Sequence, residues 1–424
     1  MTLPNPDFVQ AEKYGRYTGN LDPELRFYED YGGDAITFLR GYARQVAGML
    51  KQAGADFTIE DYRRTLDPLP FEFKGTLRPY QQQAIDAALE RDHGTLEMPT
   101  GAGKTVAAIA TIQARQQPTL ILCHTRELAE QWQARLEQFL NVKAGMIGGG
   151  KYEPEPVAVG LFQTVRNHLE GLPRHYGHVI VDECHRCPAE SFRRCVTAFD
   201  ARYLLGLSAT SYRRDGLTRL IYLLMGNRVF KIDRATLEAD GAILRPEVVT
   251  RATGFTYQYE DDYPAMIEAL IQDQARNRQI VEDVRQNMNG GAALIVSDRI
   301  SHLEILTDML NADRQAILTG QTAKAERQRI VKDLNQGEIR FLFATLSLIG
   351  EGFDCEGLTT LFIASPIRFK GRLIQTVGRI LRPAPAKRAV IYDYQDPRQP
   401  VLAAQAKARA RALAEVAGED MGGK

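Results

Sequence analysis

The chain has 424 residues, of which 44% are hydrophobic and 25% are charged. This composition is typical of a globular protein with two or three domains, and it excludes the disordered and fibrous classes. Basic and acidic residues balance at 53 each. The net charge therefore gives no sign of a polyanionic partner, and binding to nucleic acid would require a local basic surface.

Two features indicate the cellular compartment. No apolar stretch approaches the roughly 18 residues that a membrane span needs, and the first residues lack the basic and apolar regions of a signal peptide. The five cysteines, an odd number, argue against a disulfide framework and fit a reducing compartment. We expect a cytoplasmic protein with no membrane partner.

The first 68 residues differ in pattern from the rest. Apolar residues recur at helical spacing over residues 36–53, and a strand-like pattern follows over 56–62. Residues 1–75 carry 12 acidic and 9 basic side chains, which makes this segment slightly acidic. The pattern predicts a small α+β appendage of unknown role, and a packing extension of the first domain is one interpretation.

From about residue 75, short apolar runs alternate with helical patterns, which predicts βαβ units with buried parallel strands. The expected strands are 119–123, 178–181, 203–207, 292–296, 340–343, 360–364 and 389–392, and the expected helices are 105–116, 126–140, 265–287 and 300–311. The polar stretch 228–246 separates two such sheets. We assign an appendage (1–68), two α/β domains (69–235 and 236–400) and a final amphipathic helix or tail (401–424).

A phosphate-binding loop is predicted between Glu97 and Thr105, where the sequence reads EMPTGAGKT. Glycines at 101 and 103 let successive backbone N–H groups point into one concavity, and Lys104 brings a cation to the β- and γ-phosphates. The Thr105 hydroxyl is placed to ligate Mg²⁺. A full P-loop pattern would have glycine at 98, where this chain has Met98. The expected nucleotide-binding residues are Pro99, Thr100, Gly101, Ala102, Gly103, Lys104 and Thr105.

A second acidic site follows the apolar run that begins at His178, where two carboxylates, Asp182 and Glu183, stand together. A magnesium-dependent phosphate site needs a carboxylate at the end of a neighbouring strand. We expect Asp182 to hold the metal and Glu183 to orient and deprotonate the attacking water. The pair favours hydrolysis of a nucleoside triphosphate over simple nucleotide binding.

These motifs, with others in the same order, resemble the DExH group of superfamily 2 helicases and translocases over about residues 75–395. The resemblance implies two tandem RecA-like domains with ATP and Mg²⁺ bound between them. Gln81, in the run LRPYQ, looks like the glutamine that reads the adenine edge. In the second domain, Gly352 and Asp354 belong to a segment similar to motif V and are expected at the nucleotide.

The resemblance also implies contacts with the nucleic-acid backbone. The matching residues are Thr125, Arg126, Gln163 and Thr164 in the first domain, and Arg299 and Thr345 in the second. Arg213, Arg214 and Asp215 are similar to the Arg-Glu-Asp element of XPB-type helicases, with Arg214 where that element has glutamate. His185, Ser208 and Thr210 are expected to couple hydrolysis to domain movement by hydrogen bonding.

Gln375, Arg379 and Arg382 match motif VI and recur at i, i+4 and i+7, which places them on one face of a helix. We expect the two arginines to act as arginine fingers that stabilise charge on the γ-phosphate, an effect on the order of 10³ to 10⁵ in rate. Residues 357–392 hold seven basic and no acidic side chains. Part of this surface is therefore also a candidate for contact with nucleic acid.

Several cysteines and aromatic residues could belong to a binding site or could simply be structural. Cys184 and Cys187 have CxxC spacing, but Cys184 belongs to the acidic motif and no second ligand pair follows, so zinc is not favoured. Phe71 and Phe73 could stack on adenine or could pack a linker against the first domain, and both interpretations stay open. Trp132 is predicted to be a core residue.

The sequence as a whole predicts an ATP-driven motor, similar to the XPB and UvsW-like DNA helicases, that acts as a monomer on single-stranded, duplex or branched DNA. Backbone contacts make loading independent of sequence and dependent on salt. Three alternatives stay open. They are a motor of a restriction or defence system that translocates duplex without unwinding, an RNA helicase, and an ATP-gated nucleic-acid clamp.

Overall fold

Two parallel β-sheets, one in each half of the chain, form the framework of the computed structural model. The structure describes residues 2–33, 35–186, 190–209, 217–286, 291–346, 348, 357–366, 377 and 388–417. The chain divides into two units, Met1–Asp233 and Arg234–Lys424. Among the helices in these described ranges, none is long and apolar enough to cross a membrane.

The N-terminal region forms two small antiparallel ribbons and two helices. Its elements are β1 (Thr2–Pro4), α1 (Pro6–Lys13), β2 (Glu24–Arg26), β3 (Tyr28–Asp30), β4 (Ile36–Phe38), a 3₁₀ turn (Arg40–Tyr42) and α2 (Ala43–Gln52), with β1 paired to β2 and β3 to β4. The helix predicted from residue 36 therefore begins only at Ala43, because residues 36–38 pair with β3. The strand predicted over 56–62 is wrong: these residues are exposed and irregular.

The N-terminal region is joined to the first sheet domain through residues 40–64. The Arg40 guanidinium donates to the carbonyl oxygens of Ala201, at 2.9 Å, and of Phe199. A Cβ at Gly41 would lie 2.2 Å from the carbonyl oxygen of Tyr222, so only glycine fits there. Arg64 forms an ion pair with Asp200 at 2.7 Å. These contacts favour the interpretation of the appendage as a packing extension of unit 1.

The large sheet of unit 1 has the strand order β12-β5-β11-β10-β6-β9-β7-β8, and all its strands are parallel except β8. Its strands are β5 (His93–Glu97), β6 (Thr119–Cys123), β7 (Gly145–Gly148), β8 (Lys151–Tyr152), β9 (Val157–Leu161), β10 (His178–Val181), β11 (Tyr203–Ser208) and β12 (Arg228–Lys231). Its helices are α3 (Pro79–Leu89), α4 (Lys104–Arg115), α5 (Arg126–Leu140), α6 (Phe162–Val165), α7 (Glu190–Thr197) and α8 (Thr218–Met225), with 3₁₀ turns at Leu172–His175 and Cys184–Arg186.

Every residue of β6, β9 and β10 is buried, as expected for parallel strands covered on both faces. The sequence predicts that residues 228–246 separate the two sheets, and this prediction is wrong for the first residues of the stretch. Residues 228–231 form the edge strand β12, which pairs in parallel with β5. The polar composition of this strand reflects its edge position, where two of its four residues are exposed.

In the part of unit 2 that the structure describes, six strands form a fully parallel sheet with the order β13-β18-β17-β14-β16-β15. Its strands are β13 (Glu247–Ala252), β14 (Ala292–Ser297), β15 (Gln315–Leu318), β16 (Phe341–Thr345), β17 (Leu358–Ile363) and β18 (Val390–Gln395). Its helices are α9 (Arg234–Ala239), α10 (Tyr263–Gln272), α11 (Gln274–Gln286), α12 (Ile300–Leu310), α13 (Lys324–Asn335) and α14 (Pro400–Ala417). The two units confirm the predicted α/β fold of two tandem RecA-like domains.

The single helix predicted over 265–287 is instead the pair α10 and α11. The break is at Asp273, whose backbone is extended, with φ −67° and ψ 108°. Its carboxylate accepts a hydrogen bond from the Arg276 backbone N–H at 2.7 Å and so caps the second helix. The apolar periodicity continues through both helices, and aspartate is tolerated both inside a helix and at its N-terminal cap. The sequence pattern therefore does not reveal the break.

Buried ion pairs fix two helices of unit 2 to the end of its sheet. Arg409 of α14 contacts Asp393 at 2.5 Å, with side chains 2% and 1% exposed, and Arg276 contacts Asp396 at 2.8 Å, with side chains 1% and 2% exposed. Removing one partner of such a pair leaves an uncompensated buried charge. The C-terminal helix is therefore a structural part of unit 2.

We predict that Arg409→Ala lowers the free energy of unfolding by about 3–5 kcal/mol, because Asp393 is left buried without its cation. Arg411 lies on the same helix and is exposed. The matched variant Arg411→Ala should change stability by less than about 0.5 kcal/mol. Urea unfolding of both variants tests this, and equal losses would show that the buried pair is not what stabilises α14.

Candidate ATPase site

The site lies along one edge of the unit 1 sheet. Strands β5, β11, β10, β6 and β9 are parallel neighbours, so their carboxyl ends meet at the same edge, where α/β proteins bind ligands. The segments that follow these strands hold most of the residues predicted from the sequence. The topology brings together the phosphate loop, the acidic pair, the end of β11 and two segments predicted to contact nucleic acid.

The phosphate loop has the backbone that its glycines predict. Gly101 and Gly103 have φ values of 90° and 78°, in the left-handed region that glycine adopts without strain. A Cβ at position 103 would also lie 2.2 Å from the side-chain nitrogen of Gln81. Helix α4 begins at Lys104, directly after this turn. The first N–H groups of a helix are free of intrahelical partners, so they form an anion site at this point.

Helix α3 fastens the phosphate loop. Gln81 is 6% exposed, and its Nε2 donates to the carbonyl oxygen of Ala102 at 3.2 Å. The Tyr80 hydroxyl donates to the same oxygen at 3.1 Å. The Gln81 Oε1 accepts from the Arg78 backbone N–H at 2.9 Å. The structure therefore places Gln81 against the loop, and its contact with adenine stays a prediction.

The acidic pair follows β10. Asp182 is 9% exposed; its Oδ2 accepts a hydrogen bond from Trp132 Nε1 at 2.9 Å, and its Oδ1 accepts one from the Glu183 backbone N–H at 3.0 Å. Glu183 has φ 50°, a left-handed conformation that is uncommon outside glycine. Strained backbone of this kind concentrates at functional sites.

The electrostatics connect the phosphate loop with the acidic pair. Burial and the neighbouring Glu183 raise the pKa of Asp182, and the Lys104 ammonium acts in the opposite direction. Burial alone would raise the pKa of Glu183, but the contact with His185 and the charge of Lys104 lower it. Lys104 thus favours the ionised form of both carboxyls.

His185 connects the acidic pair with the end of β11. Its Nδ1 lies 3.1 Å from Glu183 Oε2 and 3.2 Å from Ser208 Oγ. The backbone N–H of Met98 donates to the Ser208 carbonyl oxygen at 3.0 Å, which ties β11 to the start of the phosphate loop. The coupling role of His185 and Ser208 stays a prediction.

The oxygen donors at this edge fit magnesium. Mg²⁺ is commonly held by one or two protein oxygens, several waters and substrate phosphates. Thr105 and Asp182 offer such oxygens, and among the described residues no cluster of three or more His, Cys, Asp or Glu could hold a metal by itself. Cys184 is fully buried, and burial raises the pKa of its thiol.

The predicted nucleic-acid contacts lie at the same edges of their sheets. Thr125 caps α5 by accepting from the Leu128 N–H at 3.3 Å, and Arg126 is exposed beside Glu130, at 3.0 Å. Gln163 and Thr164 belong to α6, directly after β9. In unit 2, Arg299 follows β14 and Thr345 ends β16, two paired strands in which Ser297 is opposite Thr345.

Several predicted site residues fall outside the described residues. They are Thr210, Arg213, Arg214, Asp215, Gly352, Asp354, Gln375, Arg379 and Arg382. Cys187, considered for zinc, also falls outside them.

The aromatic residues include contacts that sequence reasoning missed. Trp132 is buried, as predicted, but its hydrogen bond to Asp182 was not foreseen. His124 stacks on Phe162 and Phe192, at centroid distances of 5.2 and 4.6 Å, and burial lowers its pKa to about 4. Phe73 stacks on Phe139 of α5 at 5.7 Å, which favours packing over a contact with adenine.

Comparison with known proteins indicates the same class of protein as the sequence motifs, the helicases and translocases. Residues 74–213 match the family model of the type III restriction enzyme res subunit, and residues 275–384 match the helicase conserved C-terminal domain. The chain is 27% identical over 369 residues to the DNA 3'-5' translocase XPB2 of Sulfurisphaera tokodaii, covering 76% of this chain and 83% of that protein. It is 29% identical over 347 residues to a probable helicase of Escherichia phage T5, covering 79% and 74%.

A solved structure shares the fold. S. cerevisiae Dbp5 bound to RNA and ADP BeF3 superimposes with a TM-score of 0.58 at 16% identity, covering 80% of this chain and 88% of that one. The fold and the site together define a P-loop ATPase built on two RecA-like domains. The chain is similar to helicases of superfamily 2, and among them to the XPB-type helicases and translocases.

We predict that Lys104→Ala abolishes ATP turnover and leaves a folded protein, because the variant loses the cation that is expected to bind the phosphates and that lowers the pKa of both carboxyls. Lys151, an exposed residue of β8, offers a matched control, and Lys151→Ala should keep the full rate. A steady-state ATPase assay together with a circular dichroism spectrum checks this. Turnover that persists in the folded Lys104→Ala variant would contradict the assignment of the phosphate loop.

Proposed function

We propose that this protein couples hydrolysis of Mg-ATP to movement along DNA, and thereby unwinds or remodels duplex or branched DNA. One observation carries the proposal: a single edge of the unit 1 sheet holds the phosphate loop, the acidic pair and two segments that match nucleic-acid-binding motifs. The similarity to a protein named as a DNA 3'-5' translocase supports DNA as the track. The reaction class is hydrolysis of the bond to the γ-phosphate.

In the proposed mechanism, Lys104 and the N–H groups at the start of α4 bind the phosphates. Thr105 and Asp182 hold Mg²⁺, which neutralises charge on the phosphate oxygens when it is bound. Glu183 orients a water molecule and accepts its proton as the water oxygen bonds to phosphorus and ADP leaves. The contact of His185 with Glu183 and Ser208 gives a route from the hydrolysed bond to the end of β11.

Contacts with DNA are proposed to fall on phosphates only. The proposed residues are Thr125, Arg126, Gln163, Thr164, Arg299 and Thr345. Contacts to phosphates position a protein on nucleic acid without reading its bases. Binding should therefore be insensitive to sequence and should weaken steeply as salt is raised. We further propose a cytoplasmic protein that acts as a monomer on DNA.

A second candidate has an observation in its favour. The match of residues 74–213 to a restriction-enzyme subunit model supports a motor that moves along duplex DNA without separating its strands. Such a motor would work with a nuclease or methylase partner. The two candidates share the ATPase site and differ in what happens to the duplex.

The test is the steady-state ATPase rate, at one fixed moderate salt concentration, with no nucleic acid, single-stranded DNA, duplex DNA, a branched junction and RNA. Stimulation mainly by DNA, together with strand separation in a helicase assay, supports the proposal. Stimulation by duplex with displacement of a bound third strand, but no unwinding, supports the restriction-type motor. Stimulation mainly by RNA, or by none of these, contradicts the proposal.

Arg379 and Arg382 are proposed as arginine fingers. We predict that Arg382→Ala lowers kcat on the order of 10³-fold or more and leaves the Kd for ATP nearly unchanged, since a finger acts on charge that develops only in the transition state. Rates at saturating ATP, with Kd from a fluorescent nucleotide, separate the two effects. An equal loss in kcat and in affinity would mean that Arg382 binds ground-state nucleotide instead.

A further inference from the structure

Trp132 is the one tryptophan of the chain, and it lies in the second turn of α5. Its side chain is 2% exposed, and its indole Nε1 donates to Asp182 Oδ2 at 2.9 Å. The two residues are 50 positions apart in sequence. A tryptophan N–H is a donor only, so this bond leaves the indole no other polar role.

The bond bears on the orientation of the carboxylate. Asp182 Oδ1 accepts from the Glu183 backbone N–H at 3.0 Å, so each oxygen of Asp182 has one protein donor. An ionised carboxylate has about four lone-pair sites, so two donors leave room for metal-bound waters. Two donors on different oxygens also fix the plane of the group. Loss of a residue that orients a metal ligand in this way typically costs about 10- to 100-fold in metal affinity or activity.

The donor also belongs to an element with a second role. Helix α5 begins at Arg126 and is capped by Thr125, the two residues of this segment proposed to contact DNA phosphates. The same helix thus carries proposed DNA contacts at its start and the donor to the proposed metal ligand two turns later. A shift of α5 on binding DNA would move the indole N–H relative to Asp182.

We propose that Trp132 is a positioning residue of the magnesium site, which holds the Asp182 carboxylate in its metal-binding orientation and links it to the DNA-contacting end of α5. This inference rests on the proposed function, in which Asp182 is the metal ligand. In this proposal Trp132 acts on the metal only through its hydrogen bond to Asp182.

The first experiment compares Trp132→Phe, which removes the N–H and keeps an aromatic ring, with Leu136→Val. Leu136 lies one turn further along α5 and is fully buried, so its variant perturbs packing alone. Without DNA, Trp132→Phe should raise the Mg²⁺ concentration for half-maximal ATPase about 10- to 100-fold. Leu136→Val should lower the melting temperature and leave that Mg²⁺ concentration unchanged.

Fluorescence gives a readout that is independent of turnover. Because Trp132 is the one tryptophan, the emission of the wild-type protein reports the surroundings of Asp182 directly. Adding Mg-ADP should change this emission, and ADP with a chelator should not. Asp182→Asn should abolish the response. This measurement needs no Trp132 variant, so it stands even if Trp132→Phe does not fold.

Two results would overturn the inference: a Mg²⁺ dependence of Trp132→Phe equal to that of wild type, or a wild-type emission that Mg-ADP leaves unchanged. Either would make Trp132 a packing residue only. The link to DNA is tested by the ratio of rates with and without DNA, which should fall in Trp132→Phe at saturating Mg²⁺ and stay at the wild-type value in Leu136→Val. If no nucleic acid stimulates the wild type, the proposed function fails while the magnesium result still decides the role of Trp132.

Discussion

Two carboxylates, Asp182, which is buried, and Glu183, which is half-buried, stand side by side, and the repulsion between them must be offset by nearby positive charge. The Lys104 ammonium supplies part of that compensation in the described site, and a bound metal ion would add to it. Lys104 can act on the two carboxylates only if the phosphate loop and the end of β10 are held at the same edge of the sheet. The parallel strand order β5, β11, β10 holds them there, with one strand between them. The electrostatics of the site therefore depend on the fold of unit 1.

The covered sheet confines the exposed polar groups of the site to the segments that follow the strands. Strands β6, β9 and β10 are buried along their whole length, because both faces of the sheet are covered. The phosphate loop and the acidic pair lie where β5 and β10 end. Glu183 at φ 50° and the glycines of the phosphate loop are backbone conformations that such abrupt strand ends require.

The features that could be predicted from the sequence are those that a short segment defines by itself. The phosphate loop is defined by nine consecutive residues and the acidic pair by two, and apolar runs such as 119–123 indicate buried strands directly. Features that depend on contacts between residues distant in sequence could not be predicted. Residues 36–38 have a helical apolar period but pair as a strand with β3, and Asp273 ends one helix by capping the next.

The residues of the site also divide into those that local sequence predicts and those whose contacts depend on tertiary packing. Lys104, Asp182 and Glu183 were predictable because residue type and spacing define their chemistry. The bond from Trp132 to Asp182 was not, because an apolar position on an amphipathic helix looks the same whether or not its N–H meets a carboxylate. Gln81 was legible as a motif residue, but its contact with the Ala102 carbonyl depends on how α3 packs against the loop.

The central claim is that hydrolysis at this edge drives movement along DNA. The most direct measurement is pre-steady-state translocation on single-stranded DNA of increasing length, labelled with a fluorophore at one end. We predict an ATP-dependent lag before the signal change that grows linearly with length, and no such lag in Glu183→Gln. A lag that is independent of DNA length, in a protein whose ATPase is stimulated by that DNA, would contradict movement and indicate an ATP-gated clamp.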